Sequence, residues 1–421
     1  MSKPITTFED FVKRIIIVVF WVALVAIVVI VPIYYALYAT FGFKICFPNV
    51  ASSPPGASFF GLTPSQTTCY DPFTLATTKP LEGLSGTLNM LTYDPFKTLF
   101  SLVVFPGFTF VAVYGTIFMG WVERKFTAKI QLRTGPMNAG KVEGILQNIA
   151  DFFKLAFKEL VIPEGVDRAT FLAVPIALMA VAGALVALVP LSPTTYIANP
   201  TVGAVLVFAI LGFTPLITLL AGWASNSKYP FLSGLRALHQ MVAFEIPMIL
   251  SLVGVVLLSG SLNLAPLSPG GPSVVTSQST VWYIVPQFLG AVVFYCCALA
   301  ELERIPFDIP EADSELVAGW QTEYGSMPFG VFQLANFSRM YIMAGLFTTF
   351  FLGGWLGPAP VPPEVWFLLK LTIVMVMLML PRSIMPRLRI DMLIRKGWAV
   401  LLLISFANLF IAMALISLGV L

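Results

Sequence analysis

The stretch MVAFEIPMILSLVGVVLLSG, residues 241–260, decides the fold. It carries a single charge, Glu245, in twenty residues. A helix of about that length, rising 1.5 Å per residue, crosses the roughly 30 Å of hydrocarbon in a bilayer. Runs of the same kind lie at 12–40, 97–122, 170–191, 202–222, 281–300, 334–356, 364–381 and 397–420. The expected fold is an all-α integral membrane protein of about nine transmembrane helices. Composition agrees: 58% of the 421 residues are hydrophobic, 11% are charged, and the mean hydropathy is +0.89. Soluble domains carry about a quarter of charged residues. The net charge of +3 is too small to suggest a nucleic-acid partner. Residues 1–40 hold an apolar run too long for a cleavable signal peptide, with no small-residue cleavage site, so a retained helix is expected there.

The charges sort by side. With the N-terminus in the cytoplasm, 20 of the 24 Lys and Arg residues fall in inside segments. The outside loops keep Lys44, Lys79 and Lys97, while Lys370 lies within a span. This asymmetry sets the expected orientation, and nine spans leave the C-terminus outside. Residues 41–96 then form the longest external loop, rich in turn residues (SSPPGAS, GLTPSQTT). Cys46 and Cys69 lie in it, in an oxidising compartment, where a disulfide and two unpaired thiols both stay open. Cys296 and Cys297 read as small buried apolar residues. No cysteine spacing suits zinc or an iron–sulfur cluster and His239 is the only histidine, so no metal or redox centre is expected in this chain.

Two inside segments depart from ordinary connections. EGILQNIADFFKLAFKEL, residues 143–160, sets Ile145, Ile149, Phe152, Phe153, Ala156 and Leu160 on one face at helical spacing, with Asp151, Lys154, Lys158 and Glu159 elsewhere. An amphipathic helix at the membrane surface, or beneath a partner, is expected. The second segment is ELERIPFDIPEADSELVAGWQTEY. Glu301, Glu303, Asp308, Glu311, Asp313, Glu315 and Glu323 put seven of the chain's 21 acids within 23 positions there. A run of charge is usually a solvated face. Here, however, the acids alternate with Pro306, Phe307, Ile309, Pro310, Leu316, Val317 and Trp320, which suggests a folded, partly buried loop. Crowded carboxylates in low dielectric cannot all ionise, and proton relays need that property.

Glu245 is the sharpest single residue, because an acid inside a span is a functional candidate by default. A snorkelling or capping acid is the plainer reading. Glu123, followed by Arg124 and Lys125, reads equally well as an interfacial ion pair. RTGP (Arg133, Gly135, Pro136) forces a turn, and GWASNSKYPFLSGLR, residues 222–236, reads as a polar loop entering the fifth span.

In order, the strings GWVERKFTAKIQLRTGP, ADFFKLAFKE, GWASNSKY, ERIPFDIPEADSELVAGWQTEYGSMPF and FLGGW closely resemble one family. It is the proton-coupling, quinone-site membrane subunit of respiratory complex I (the H subunit, or subunit 1, of NADH–quinone oxidoreductases). The resemblance covers about residues 97–420, and the PFD…PEA…SELV…TEY loop is its most specific part. It implies three regions: an added N-terminal transmembrane helix (1–40), an extracytoplasmic loop or cap (41–96), and an eight-helix membrane domain like that of the H subunits (97–421). It further implies a quinone, ubiquinone or menaquinone, as substrate in a narrow chamber, with nothing bound covalently and no metal. The redox step would lie on partner subunits.

The resemblance implies Glu123, Arg124, Arg133, Gly135, Pro136, Asp151, Lys154, Lys158, Arg304 and Phe307 as chamber residues. It implies Glu245 and Glu301, with the loop acids Asp308, Glu311, Asp313, Glu315 and Glu323, as a proton relay. The implied partners are the other membrane-arm subunits, the peripheral-arm quinone-site and iron–sulfur subunits, and the lipid bilayer. The implied location is a prokaryotic plasma membrane, crossed many times. Departures are the N-terminal region, a GPMNAGKVEG run one residue longer than the family's, Gly212 where some relatives carry a glutamate, and Glu303, an acid the pattern lacks. An ion-translocating anchor of a membrane-bound hydrogenase-type complex is the alternative, and the complete quinone-type loop speaks against it. A self-contained transporter would show an inverted repeat, and the sequence has no such symmetry.

Overall fold

The computed structural model describes residues 112–421, leaving out 141–142, 194–195, 197, 267–270, 359–360, 362, 390–391, 394–396 and 419–421. Before residue 112 it describes only the backbone of three short strands. The chain divides into two units, Met1–Leu99 and Phe100–Leu421. In the first, β1 (Ile45–Pro48), β2 (Thr67–Tyr70) and β3 (Thr77–Leu81) form an antiparallel sheet in that order. The register sets Cys46 opposite Cys69. The two cysteine side chains, and with them the choice between a disulfide and two thiols, lie outside the described residues, as does the expected helix 12–40.

Among the described residues of the second unit every regular element is a helix. The helices are α1 (Gly120–Ile130, running on from a wider π-helical stretch, Ala112–Met119), α2 (Gln147–Phe157), α3 (Arg168–Leu188), α4 (Gly203–Leu211) and α5 (Phe213–Ala224). They continue as α6 (Lys228–Ser259), α7 (Phe288–Glu301), α8 (Ser326–Phe351), α9 (Pro363–Ile384) and α10 (Leu402–Ser417). Among the described residues a helix overlaps each expected run from 97–122 onward. Among the described residues five segments are long and apolar enough to cross a membrane: Arg168–Leu188, Gly203–Ala224, Lys228–Ser259, Pro363–Ile384 and Ala399–Ser417. Phe288–Glu301 is apolar but shorter.

One expectation is corrected. Residues 228–236, read as loop, are the first turns of α6. Ser227, in extended conformation, precedes the helix, and the small residue Gly222 lets the α5 backbone approach Pro230 closely. The resulting 32-residue helix is about 48 Å long, well beyond one hydrocarbon thickness. The excess stands on the side of the acidic loop. α6 packs against α5, α7 and α10, which makes it the bundle's central element.

Without water or a strong hydrophobic force between helices, polar side chains hold such bundles together. Asn408 on α10 donates to Gln287 Oε1 at 2.6 Å and accepts from the Gly290 N–H at 3.0 Å. Ser405 donates to the carbonyl of Pro247 at 3.2 Å, beside the point where that proline interrupts the hydrogen-bond ladder of α6. Lys370 is buried on α9. Its Nζ donates to the carbonyls of Leu352 and Leu356, each at 2.6 Å, and of Gly354 at 3.1 Å, and lies 4.3 Å from the Trp282 ring centre. The ammonium thus satisfies carbonyls just past the end of α8, where the helix dipole favours a cation.

Lys370→Met keeps the aliphatic stem and strands those carbonyls. It is expected to lower stability by about 2 kcal/mol or more, read as a reduced melting temperature in detergent.

Candidate functional site

The acidic segment folds back onto one end of the bundle and is held there by α6. Ser233 donates to the Pro310 carbonyl at 2.6 Å, Gln240 donates to the Ala300 carbonyl at 2.7 Å, and Phe307 lies against Phe244 at 5.2 Å between ring centres. Gly319 closes the fold. Its φ is +70°, and a Cβ there would sit 2.5 Å from the Pro310 carbonyl oxygen, so no other residue fits without displacement. Trp320 and Tyr324 then pack edge-on against Phe332 of α8, and Tyr324 stacks on Phe171 of α3 at 4.0 Å.

Three ion-pair groups organise the acids. Glu123, buried at the start of α1, accepts short bonds from both Arg304 and Arg382, which ties α1, the loop and the end of α9 together. Burial pushes its carboxyl up, but the two guanidiniums outweigh that and hold it below the usual carboxylate range. Asp308 pairs with Arg387 at 2.9 Å. Deepest is Arg339 of α8, 2% exposed, whose Nη2 lies 2.6 Å from Asn336 Oδ1 and 3.8 Å from Glu303 Oε2. Glu301 is buried close by. Glu311 accepts from Gln321 Nε2 at 2.7 Å. Loss of hydration and the neighbouring Asp308 raise its carboxyl to about 7, against the pull of Arg382, Arg304 and Arg339.

Glu245 is half-buried inside α6, and a Cβ at Gly212, where α4 meets α5, would lie 3.1 Å from its Oε1. The glycine therefore leaves the carboxylate the space a side chain would occupy. Glu245 acts electrostatically on Glu301, so the acid in the span and the acid at the loop are within each other's field.

The remaining expected residues spread out. Arg124 bonds Asp151 at 2.6 Å in the open, and Lys154 approaches Asp151 at 3.9 Å. Arg133 donates to Gln131 at 2.8 Å on the surface. Gly135 and Pro136 bring the chain against the Lys125 side chain and Gly144. Lys158 is exposed, and its carbonyl accepts from Ser326 at 2.6 Å. Glu315 is at the surface, bonded to Arg236 at 2.6 Å, and Glu323 is half-buried beside Tyr324. The Asp313 side chain lies outside the described residues. The amphipathic helix appears as α2, anchored by Asn148, which donates to the carbonyls of Thr116 and Ile117 at 2.8 and 3.1 Å. Phe152, Phe153 and Phe157 on it are exposed.

Sequence reasoning missed Arg339, Arg382 and Arg387 as members of the site, and missed the weight of Glu303. The signal was available for Arg339, since a lone arginine in an apolar run demands an acid from elsewhere. Among the described residues no group of three metal-ligating side chains occurs.

A bundle of long apolar helices with a buried carboxylate–guanidinium cluster under one end is the architecture of an integral membrane protein. The profile of the NADH dehydrogenase family matches residues 103–413. The H subunit of NADH-quinone oxidoreductase from Brevibacillus brevis is 41% identical over 320 residues, covering 75% of this chain and 91% of that protein. The H subunits from Bacillus cytotoxicus (41% over 325 residues, 76% and 94%) and Anoxybacillus flavithermus (39% over 323 residues, 73% and 95%) are similar to it as well. The chain belongs to this family of NADH-quinone oxidoreductase H subunits.

Glu123→Gln leaves Arg304, whose side chain is 12% exposed, without its buried counter-charge and is expected to cost about 3 kcal/mol, whereas Arg382→Gln, at a half-exposed partner, costs about 1 kcal/mol or less. Melting temperatures of the two variants check that order. A second expectation concerns pH. Glu311 is raised to about 7 and Glu303 to about 8, so between the ordinary glutamate range and those values the folded chain binds protons that the unfolded chain has released. Stability therefore falls as pH rises from about 5 to 8, and Glu311→Gln flattens that fall in a melting series.

Proposed function

We propose that the chain is the membrane subunit of a complex I-type quinone oxidoreductase that forms the quinone access chamber and couples quinone reduction to proton translocation. The observation that carries this reading is the continuity of acids from surface to membrane. Asp308 and Glu311 stand in the folded loop, Glu301 at the end of α7, and Glu245 within α6, and guanidiniums from α8, α9 and the loop share their field.

A quinone that takes up electrons and protons near the loop changes the charge the acids experience. Carboxyls crowded in low dielectric respond by gaining or losing protons. The chain itself supplies the walls, the charge cluster and the proton sites, and the redox centres sit on partner subunits of the peripheral arm. Arg124 and Asp151, at the α1–α2 contact, and the exposed aromatic face of α2 belong to the mouth of the chamber in this reading. The names of the relatives, which refer to NADH and quinone, support it over a hydrogenase-type anchor. The relatives are bacterial, and the distribution of Lys and Arg supports a plasma-membrane protein with a cytoplasmic N-terminus, nine spans and an added region before residue 97.

Moving one charge against 100 mV costs about 2.3 kcal/mol, so coupling must be tight. In the assembled complex, Glu245→Gln is expected to leave assembly intact and to depress proton pumping and coupled quinone reduction together. Proton uptake by proteoliposomes checks it, and full pumping in that variant removes the role assigned to Glu245.

A further inference from the structure

Glu303 has no part in that coupling route, yet its surroundings are specific. Trp320 Nε1 donates to Glu303 Oε2 at 3.3 Å, and Arg339 Nη2 stands 3.8 Å from the same oxygen. Glu301, Glu303 and Arg339 are 2%, 6% and 2% exposed. Among the described residues, Oε1 of Glu303, Oε1 of Glu301, and Nε and Nη1 of Arg339 all lack a hydrogen-bond partner. Buried polar atoms left unbonded cost free energy, so several in one enclosed group call for a water, an ion or an exchangeable proton among them.

The charge balance selects the proton. Arg339 is one fixed positive charge, since a guanidinium does not deprotonate in proteins. It acts on Glu301, Glu303 and Glu311 together. One guanidinium compensates one buried carboxylate, and the next carboxyl must hold a proton. Glu303 feels Glu311 and Asp308 of the loop, and in turn acts on Glu301, which is itself in the field of Glu245.

We propose that Glu303 is a proton-carrying site joining the loop carboxyls to Glu301 and Glu245, with Arg339 as the positioning residue that keeps one proton shared between Glu301 and Glu303. This rests on the coupling function proposed above. A proton leaves the Glu311 carboxyl, its O–H bond breaking as an O–H bond forms on the Glu303 carboxylate. A second transfer carries a proton from Glu303 to the Glu301 carboxylate. No electron moves, and Arg339 stays charged throughout. Burial, with Glu311 and Asp308 adding to it against Arg339 and the Trp320 bond, brings the Glu303 carboxyl to about 8, so that it changes protonation near neutral pH.

The test uses the whole complex in proteoliposomes, driven by NADH with a short-chain quinone. Glu303→Gln is expected to lower proton uptake and quinone-dependent turnover at least about tenfold while electron delivery to a soluble artificial acceptor is unchanged. Glu303→Asp keeps a carboxylate facing Arg339 and is expected to recover most of the activity with a displaced alkaline limb in its pH profile. Native activity in Glu303→Gln, equal impairment of Gln and Asp variants, or an unmoved pH profile in Glu303→Asp overturns the proposal. If Glu303→Gln does not assemble because Arg339 is left unpaired, Glu303→Gln/Arg339→Gln removes both charges, and full pumping by it also overturns the proposal. Glu301→Gln is run alongside. Full pumping there means the coupling reading itself has failed, whereas impairment there with a native Glu303→Gln means only the role of Glu303 has.

Discussion

A guanidinium cannot be buried in an apolar bundle without acids to answer it, and Arg339 is such a guanidinium. It sits in α8 among Phe332, Ala335 and Met340, where a lone charge would be prohibitive. The acids that answer it come from the end of α7 and the loop after it, which is why that loop turns inward. Glu303 faces Arg339 directly, and Glu301 and Glu311 share its field. The same constraint explains why the cluster is poised. With fewer fixed cations than acids in the interior, protons must make up the difference, and protons are mobile where bonds are not.

A second group fixes where that cluster sits. Glu123 gathers Arg304 and Arg382, so the start of α1, the loop and the end of α9 meet on one carboxylate. Its carboxyl stays ionised, in contrast to Glu303 and Glu311, because two cations serve it and none of its neighbours is an acid with an equal claim. Glutamates of one loop and helix end therefore divide into a structural anion and proton-holding acids. The cations near each decide which is which. α6 supplies the frame, since its length beyond the membrane puts Ser233 and Gln240 under the loop backbone.

The runs at 170–191, 202–222, 241–260, 364–381 and 397–420 were legible because lipid demands unbroken apolar stretches, whereas 281–300 and 334–356 match α7 and α8 only in part. The boundary of α6 was not. Lys228, Ser233 and Arg236 look like loop residues, since the apolar pattern reports only the part of a helix that lipid touches. Glu245 and Glu301 stood out as acids beside or inside apolar runs. Arg339 was as conspicuous but was counted only by side, because a one-dimensional reading gives no partner for it. Glu315 and Glu311 look alike in PEADSEL, yet one bonds Arg236 at the surface and the other turns inward to Gln321. That difference comes from the turn at Gly319 and the packing of Trp320, which are tertiary facts. The close approach of Gly212 to Glu245 was likewise invisible, although the glycine itself was noticed.

The central claim is that buried carboxyls of this chain change protonation when quinone is reduced. Infrared difference spectroscopy of the intact complex, comparing oxidised with reduced quinone in H2O and D2O, reads protonated carboxyls directly. The account predicts carboxylic-acid bands that shift in D2O and are lost or altered when Glu301 is replaced by Gln. A difference spectrum with no carboxylic-acid band, or one that Glu301→Gln leaves untouched, contradicts it.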